Sequence, residues 1–328
     1  MNQSNQIYPW LKKYLNLINQ ERLSHAYLIS GRDGLGKKIL AELIAKKILC
    51  KQASSDNCEC QSCRLFDSSN HPDFHLIEKE EKKKQISINQ IRACFGYLFE
   101  TSFLHGNRLF LIYPAEIMSP EAADSALKIL EEPPKNSYFI LVSHRPKQLP
   151  PTIRSRCSEI KVSLPSQEHI VNWLQKETVN DKELHLALSL SKGRPLKATN
   201  LISQSVEELR KIFIKDISRI IKQGDNIIKV SENWAKDLES LITKLEWMGD
   251  LLRDALRHRF FKELKNTTTD TDHISTYLGN KIEDQTLFLL LEETNKVWSW
   301  FSNGTNLRAD YQLQSLFITW NSELAISS

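Results

Sequence analysis

The first clear hydrophobic pattern in the chain predicts a strand, a turn and a helix. A short apolar run over residues 25–31, with the sequence HAYLISG, ends in a glycine. Directly after Lys38, apolar residues return every three or four positions, at Ile39, Leu43, Ile44, Ile48 and Leu49. That spacing is typical of a helix with one buried face. A strand, a glycine-rich turn and a helix in this order begin an α/β nucleotide-binding domain.

Two further apolar runs predict buried strands over residues 109–113 and 138–143. Short continuous apolar runs are typical of parallel strands that are covered on both faces. The segment between them predicts a helix, with Ser119 as its N-cap and Pro120 in its first position. Two prolines, Pro133 and Pro134, are expected to end it.

After Pro165 the pattern predicts helices only. Residues 166–200 form a small helical unit interrupted by the sequence GRP at 193–195, and long amphipathic helices follow from about 207. Their apolar positions include Met248, Leu251, Leu252, Ala255 and Leu256, and later Leu313, Leu316, Phe317, Trp320 and Leu324. The period of three to four residues predicts one buried face on each helix.

We therefore predict an α/β P-loop domain over residues 1–165, a small helical domain over 166–206 and an all-α domain over 207–328. The charged run at 78–84 and the polar run at 266–272 are interpreted as solvated loops.

Composition and charge narrow the class of protein. The 328 residues suggest about two domains, or three if some are small. With 41% hydrophobic and 26% charged residues, the chain can bury substantial cores. No apolar run approaches the ~20 residues that span a bilayer, and the first residues lack a signal-peptide pattern. We expect a cytoplasmic protein with no membrane partner. The net charge of +4 permits a nucleic-acid partner without requiring one.

Four of the six cysteines lie within fourteen residues, at Cys50, Cys58, Cys60 and Cys63. In a cytoplasmic protein, such a cluster is more often a metal site than a pair of disulfides. Four reduced thiols are the alternative. Neither the isolated cysteines nor the scattered histidines form a recognisable nucleophilic arrangement.

Residues 31–38, GRDGLGKK, almost complete a phosphate-binding loop. Gly31, Gly36 and Lys37 match the pattern, in which backbone N–H groups surround phosphate oxygens and the lysine reaches the outer phosphates. The last position, normally a hydroxyl residue that binds Mg²⁺, is Lys38. An ammonium group cannot bind a metal ion.

The second metal-binding position of a P-loop ATPase is also altered. Such enzymes carry a carboxylate at the end of a following strand. Here Tyr113 and Pro114 stand there, and the nearest acid is Glu116. Because both positions have the same role, their joint loss predicts that this chain does not hydrolyse ATP. The alternative, that the loop is only a tight turn, fits poorly with a strand before it and a helix after it.

Several motifs together resemble the AAA+ clamp-loader family of bacterial DNA polymerase III. They are HAYLISGRDGLGK, the four cysteines after the first helix, HPD at 71–73, ALKILEEPP and TIRSRC. The resemblance is strongest over residues 8–165. The gamma/tau subunit of that family has an intact phosphate loop and Asp-Glu after the second strand, so this chain resembles the non-hydrolysing type of subunit.

The resemblance implies an AAA+ module, a small helical domain and a helical collar domain that joins a five-subunit ring. It implies gamma/tau and delta subunits as partners, with the sliding clamp and primer–template DNA reached through the complex. The chain is then a non-catalytic subunit without ATP or Mg²⁺ of its own, and the DNA-directed DNA polymerase activity, a nucleotidyltransferase reaction, belongs to the holoenzyme.

The resemblance also assigns residues. Arg156 in the sequence SRC corresponds to an arginine finger that reaches the ATP held by a neighbouring subunit. The alternative is that Arg154 and Arg156, two apart on an extended segment, only cover the edge of the domain. Where gamma/tau has an arginine after GRP, this chain has Leu196, with Lys197 next.

The family carries zinc on four cysteines at this place, which implies Cys50, Cys58, Cys60 and Cys63 as ligands. The spacing here is C-x-C-x-x-C, one residue shorter than the usual C-x-x-C-x-x-C. His71 is a possible substitute ligand, although a structural role is expected for it.

Two other functions remain open from the sequence. One is an active gamma/tau-like ATPase with an unusual metal site, against which the missing carboxylates argue. The other is a stand-alone zinc-containing nucleic-acid-binding protein, against which the mild charge argues.

Overall fold

The computed structural model describes residues 7–19, 22–52, 58–80, 83–104, 106–175, 180–223, 226–261 and 270–326. The chain divides into two compact units. The first consists of Met1–Trp173 and Arg194–Leu196, and the second of Leu174–Gly193 and Lys197–Ser328. The three-domain division stays a prediction.

The first unit is built on one parallel sheet of five strands. They are β1 (Ala26–Ser30), β2 (Phe74–Ile77), β3 (Arg108–Ile112), β4 (Ser137–Ser143) and β5 (Ser158–Lys161), in the spatial order β2-β3-β4-β1-β5. Its helices are α1 (Lys12–Leu15), α2 (Lys37–Leu49), α3 (Gln61–Asp67), α4 (Ile88–Gly96), α5 (Pro120–Glu131) and α6 (Pro151–Arg156), followed by α7 (Gln167–Leu174). The predicted α/β fold is confirmed.

Apolar side chains cover both faces of the sheet, because successive residues of a strand point to opposite faces. On one face, Ile29 and Leu111 belong to a core that includes the buried residues of α2. On the other, Leu28 and Phe110 belong to a core that includes buried residues of α4 and α5. The sheet is therefore the middle of three layers.

The three strands predicted from apolar runs are confirmed to within one residue at each end. The sequence analysis missed β2 and β5. In β5 only Ile160 is buried, so there is no apolar run to detect. In β2 a histidine interrupts the run, and the structure places its ring against Tyr97 and Phe110, at 4.7 and 4.8 Å between ring centroids.

Helix α5 begins and ends where its sequence predicts. The Ser119 Oγ accepts a hydrogen bond from the Ala122 backbone N–H at 3.2 Å, and Pro120 is the first helical residue. The helix ends at Glu131, two residues before Pro133. Glu131 is therefore the last residue of this helix.

The aromatic rings of residues 8 and 10 pack against the turn between β1 and α2. Tyr8 and Trp10 stack with 5.0 Å between ring centroids, and Trp173 meets both rings edge-on. The Trp10 indole N–H donates to the Leu35 carbonyl at 2.9 Å. A Cβ placed on Gly36 would lie 2.7 Å from the Tyr8 ring. The rings thus hold the turn in one conformation.

The described part of the second unit is helical. Its main helices are α8 (Asp181–Ser191), α9 (Pro195–Ser203), α10 (Val206–Gln223), α11 (Ile227–Ala235), α12 (Leu238–Phe260), α13 (Asp272–Lys281), α14 (Asp284–Ser302) and α15 (Ala309–Ile326), although the first residues of α9 belong to the first unit. The apolar positions singled out from residue 248 onward are buried, which confirms the predicted faces. Among the described helices, none is both long and apolar enough to span a membrane.

Aromatic side chains fill the core of this unit. Phe213 packs against Trp234 and Trp247, and Trp234 meets Phe317 edge-on at 5.2 Å between ring centroids. The predicted loop at 266–272 lies largely outside the described residues, and Asp272 is the first residue of α13 rather than part of a loop.

The close contact at Gly36 gives a stability prediction. We expect Gly36→Ala to lower the free energy of unfolding by about 2–4 kcal/mol, since alanine would have to adopt φ +81° and displace the Tyr8 ring. Urea denaturation followed by fluorescence measures this. Gly304→Ala is the control, because its φ is +68° but no atom lies within 4 Å of the added Cβ. An equal loss of unfolding free energy in the two variants would mean that the Tyr8 ring moves aside without a cost in stability.

Candidate functional site

The phosphate-type loop lies between β1 and α2, at the carboxyl edge of the sheet. Gly31, Gly34 and Gly36 all have positive φ, as a loop of this shape requires. A Cβ on Gly31 would lie 2.4 Å from the Val162 carbonyl oxygen, so only glycine fits there. Helix α2 begins directly after the loop, at Lys37. The loop has the backbone form that the sequence predicted.

The Lys37 ammonium group is buried and has partners inside the protein. Its Nζ donates to the Arg32 carbonyl at 2.7 Å and lies 2.8 Å from the His144 Nδ1. Burial lowers the pKa of Lys37 to about 8, although Asp33 and Glu116 act in the opposite direction. Burial, together with Lys37, also lowers the pKa of His144, so the imidazole is neutral at pH 7 and its Nδ1 can accept from the ammonium.

Lys38 forms an ion pair with a residue that the sequence analysis had placed in a solvated loop. Its Nζ lies 2.5 Å from the Glu78 Oε1, just after β2, and 5.3 Å from the centroid of the Tyr113 ring. Glu78 is only partly exposed and belongs to the site, which corrects the interpretation of the run at 78–84 in that respect. The pairing of Glu78 with Lys38 depends on where β2 lies in the sheet, and the sequence analysis did not detect β2.

The two positions that bind Mg²⁺ in a P-loop ATPase therefore contact each other here. Burial raises the pKa of Tyr113 to about 12, and Asp33 and Glu78 act in the same direction. The phenol is accordingly neutral at pH 7. A neutral phenol and a paired ammonium group offer no anionic metal ligand at these positions.

The nearest acid after β3, Glu116, has a role in the loop after β4. Its Oε1 accepts a hydrogen bond from the His144 backbone N–H at 3.0 Å, and its Oε2 is buried. Glu116 thus helps to hold the loop that carries the partner of Lys37.

The four clustered cysteines converge between the end of α2 and the start of α3. Cys50 follows α2, Cys60 is the N-cap of α3, and the four Sγ atoms of Cys50, Cys58, Cys60 and Cys63 all lie within 4.8 Å of one another. Tetrahedral zinc with Zn–S bonds of about 2.3 Å requires sulfurs about 3.8 Å apart, and the Cys50 and Cys60 sulfurs are 4.0 Å apart. The short Cys58–Cys60 spacing does not keep the sulfurs apart, and the four cysteines can hold a metal ion.

The electrostatics of the cluster favour a thiolate at Cys60. Burial by itself raises the pKa of Cys60. Hydrogen bonds from the backbone N–H groups of Cys63 and Lys51 and from the Cys58 and Cys63 thiols have the larger effect and lower the pKa to about 6. Burial, with the Cys50 and Cys60 sulfurs, raises the pKa of Cys63.

His71 has a structural role, as expected. Its Nδ1 accepts from the Asp73 backbone N–H at 3.1 Å, so its Nε2 carries the proton and donates to the Ser62 Oγ at 2.9 Å. Ser62 in turn donates to the Leu49 carbonyl at 2.8 Å. Since both ring nitrogens are used, His71 is not available as a metal ligand.

Arg156 lies on a helix rather than on an extended segment, which corrects the sequence interpretation. Pro151 begins α6, and Arg154 and Arg156 both lie in its last turn. The Arg156 Nη2 lies 2.5 Å from the Glu131 Oε1, and its Nη1 donates to the Thr152 carbonyl at 3.1 Å.

Burial raises the pKa of the neighbouring Cys157 thiol to about 12, so this thiol is protonated at pH 7. Beside the phosphate-type loop, the Leu196 backbone N–H donates to the Gly34 carbonyl at 3.1 Å. Leu196, which the resemblance aligns with the gamma/tau arginine, thus contacts the loop through its backbone. Lys197 forms an ion pair with Glu246 in the second unit.

The family model described as DNA polymerase III, delta subunit, matches residues 8–166. The DNA polymerase III subunit delta' of Pseudomonas aeruginosa is 32% identical over 96% of this chain and 98% of its own length. That of Escherichia coli is 27% identical over 95% of this chain and 94% of its own length.

Among solved structures, a DNA polymerase III gamma subunit-related protein from Thermotoga maritima aligns at 18% identity with a TM-score of 0.44, over 96% of this chain and 99% of that one. The identity to the Pseudomonas protein over nearly the full length of both chains decides the family. The chain belongs to the delta' family of DNA polymerase III clamp-loader subunits.

Proposed function

We propose that this chain is a non-hydrolysing clamp-loader subunit that assembles with gamma/tau and delta subunits. In that complex it helps to load the sliding clamp onto primer–template DNA. The observation that carries the proposal is the contact of Lys38 with Glu78 and Tyr113, because it occupies the two positions at which a P-loop ATPase binds Mg²⁺.

The lack of hydrolysis follows from charge. Mg²⁺ neutralises the charge that develops on the phosphate oxygens, so a site without it loses most of its transition-state stabilisation. Lys38 places a positive charge where Mg²⁺ would bind, and this charge opposes the binding of a metal ion. The Glu78 carboxylate is paired with Lys38.

We expect the purified chain to show no Mg²⁺-dependent ATP turnover, for this reason. The measurement is phosphate release by the isolated chain, with Lys37→Ala as the control for a contaminating ATPase. Turnover comparable to that of a gamma/tau subunit, and abolished by Lys37→Ala, would contradict the proposal.

We also propose that Arg156 is an arginine finger for the ATP held by an adjacent gamma/tau subunit. The guanidinium is planar, permanently charged and able to bind two phosphate oxygens at once. Its side chain is 36% exposed at the end of a helix, so part of it faces solvent.

Arg156→Ala is expected to leave assembly intact and to slow hydrolysis at the adjacent site. Arginine fingers supplied in trans to GTPases contribute ~10³–10⁵ in rate. We expect a smaller loss in total ATPase because other sites keep their own arginines. The measurement is DNA- and clamp-stimulated ATPase of the assembled complex. Arg154→Ala, in the same turn of α6, controls for loss of charge, and wild-type activity in Arg156→Ala complexes would exclude the finger.

We propose that Cys50, Cys58, Cys60 and Cys63 bind one structural zinc ion. The mutual closeness of four sulfurs, two of them on buried cysteines, supports this. A closed site of four thiolates would join the end of α2 to the start of α3 and supply structure rather than catalysis.

Elemental analysis of protein prepared without chelator should give about one zinc per chain. Cys60→Ser is expected to lose most of it, because the site then retains three thiolates, while the far-ultraviolet circular dichroism stays close to wild type. Cys94→Ser is the matched control, since Cys94 lies outside the cluster. Zinc-free wild-type protein, or equal zinc in both variants, would rule the site out.

A further inference from the structure

Arg156 is held by the end of a neighbouring helix. Helix α5 ends at Glu131 and α6 ends at Arg156, and the two terminal side chains form an ion pair at 2.5 Å. A second contact, from the Arg156 Nη1 to the Thr152 carbonyl one turn earlier, holds the other branch of the guanidinium.

The two helix ends are fixed by buried neighbours. Leu130, directly before Glu131, is 3% exposed, and Ile153 in α6 is fully buried in the same core. Because the backbones on both sides are anchored, the ion pair restricts the arginine side chain rather than the helices.

The adjacent charged residues show that this pairing is specific to Glu131 and Arg156. Glu132 and Arg154 are both exposed, and in the described parts of the chain neither side chain makes a hydrogen bond or an ion pair. At these two helix ends, Glu131 and Arg156 are therefore paired with each other, while the adjacent Glu132 and Arg154 are not paired.

We infer that Glu131 is a positioning residue for Arg156, holding its guanidinium in one orientation for the adjacent ATP. This inference rests on the proposed finger role of Arg156. A long arginine side chain has many rotamers, and fixing one of them before the reaction removes an ordering cost from the transition state. Nη1 and Nη2 each carry two hydrogens, so the contacts to Thr152 and Glu131 leave donors for phosphate oxygens.

The test requires a complex in which only one ATP site depends on an arginine. Gamma/tau subunits whose own SRC arginine is replaced by alanine provide it, since the remaining arginine is then Arg156 of this chain. Steady-state ATPase of that complex, with clamp and primed DNA present, is measured for Glu131→Ala, Glu131→Gln and the control Glu132→Ala.

We expect Glu131→Ala to lower kcat about tenfold, by analogy with the cost of a misplaced catalytic group, with little change in the KM for ATP. Glu131→Gln should recover part of this, because its amide oxygen can still accept from the guanidinium. Glu132→Ala should match wild type. In an Arg156→Ala background, Glu131→Ala should cause no further loss.

The outcomes separate this inference from the finger proposal. If Arg156→Ala has no effect in this complex, the finger itself is wrong. If Arg156→Ala slows hydrolysis while Glu131→Ala matches wild type or is faster, the finger stands and the positioning role is overturned. Additive losses in the double variant would also overturn it, since they would show that Glu131 acts independently of Arg156.

Discussion

Parallel pairing of the five strands is the constraint on which the candidate site depends. It brings the carboxyl ends of the strands to one edge, so the loop after β1 meets Glu78 after β2, Tyr113 after β3 and His144 after β4. Residues more than a hundred positions apart thereby come into direct contact. The packing of Tyr8 and Trp10 on the loop then holds one side of this edge in place.

The ammonium groups at that edge have their partners within the protein. Unpaired buried charges are costly, and both lysines of the loop have partners. Lys37 contacts a backbone carbonyl and His144, and Lys38 is paired with Glu78. Side chains at the positions that surround a metal-bound nucleotide in an ATPase are thus engaged with one another, and this arrangement supports the proposed non-hydrolysing role.

The cysteine cluster is connected to the sheet by hydrogen bonds rather than by apolar packing alone. Ser62, between two of the cysteines, contacts His71, and His71 accepts from the backbone N–H of Asp73 just before β2. The buried Asp73 carboxylate accepts from the backbone N–H groups of Phe103 and Leu104, which lie in the segment before β3. A structural metal ion in the cluster would therefore support β2, the strand that leads directly into Glu78.

The sequence alone determined the phosphate-type loop, the three apolar strands, the limits of α5 and the cysteine cluster, because each depends on residues close together in the chain. The tertiary structure decided what lies far apart in sequence. The pairing of Lys38 with Glu78 and that of Arg156 with Glu131 depend on strand order and on where helices end in space. Strands β2 and β5 also escaped prediction, since neighbouring strands, rather than an apolar run of their own, hold them in the sheet.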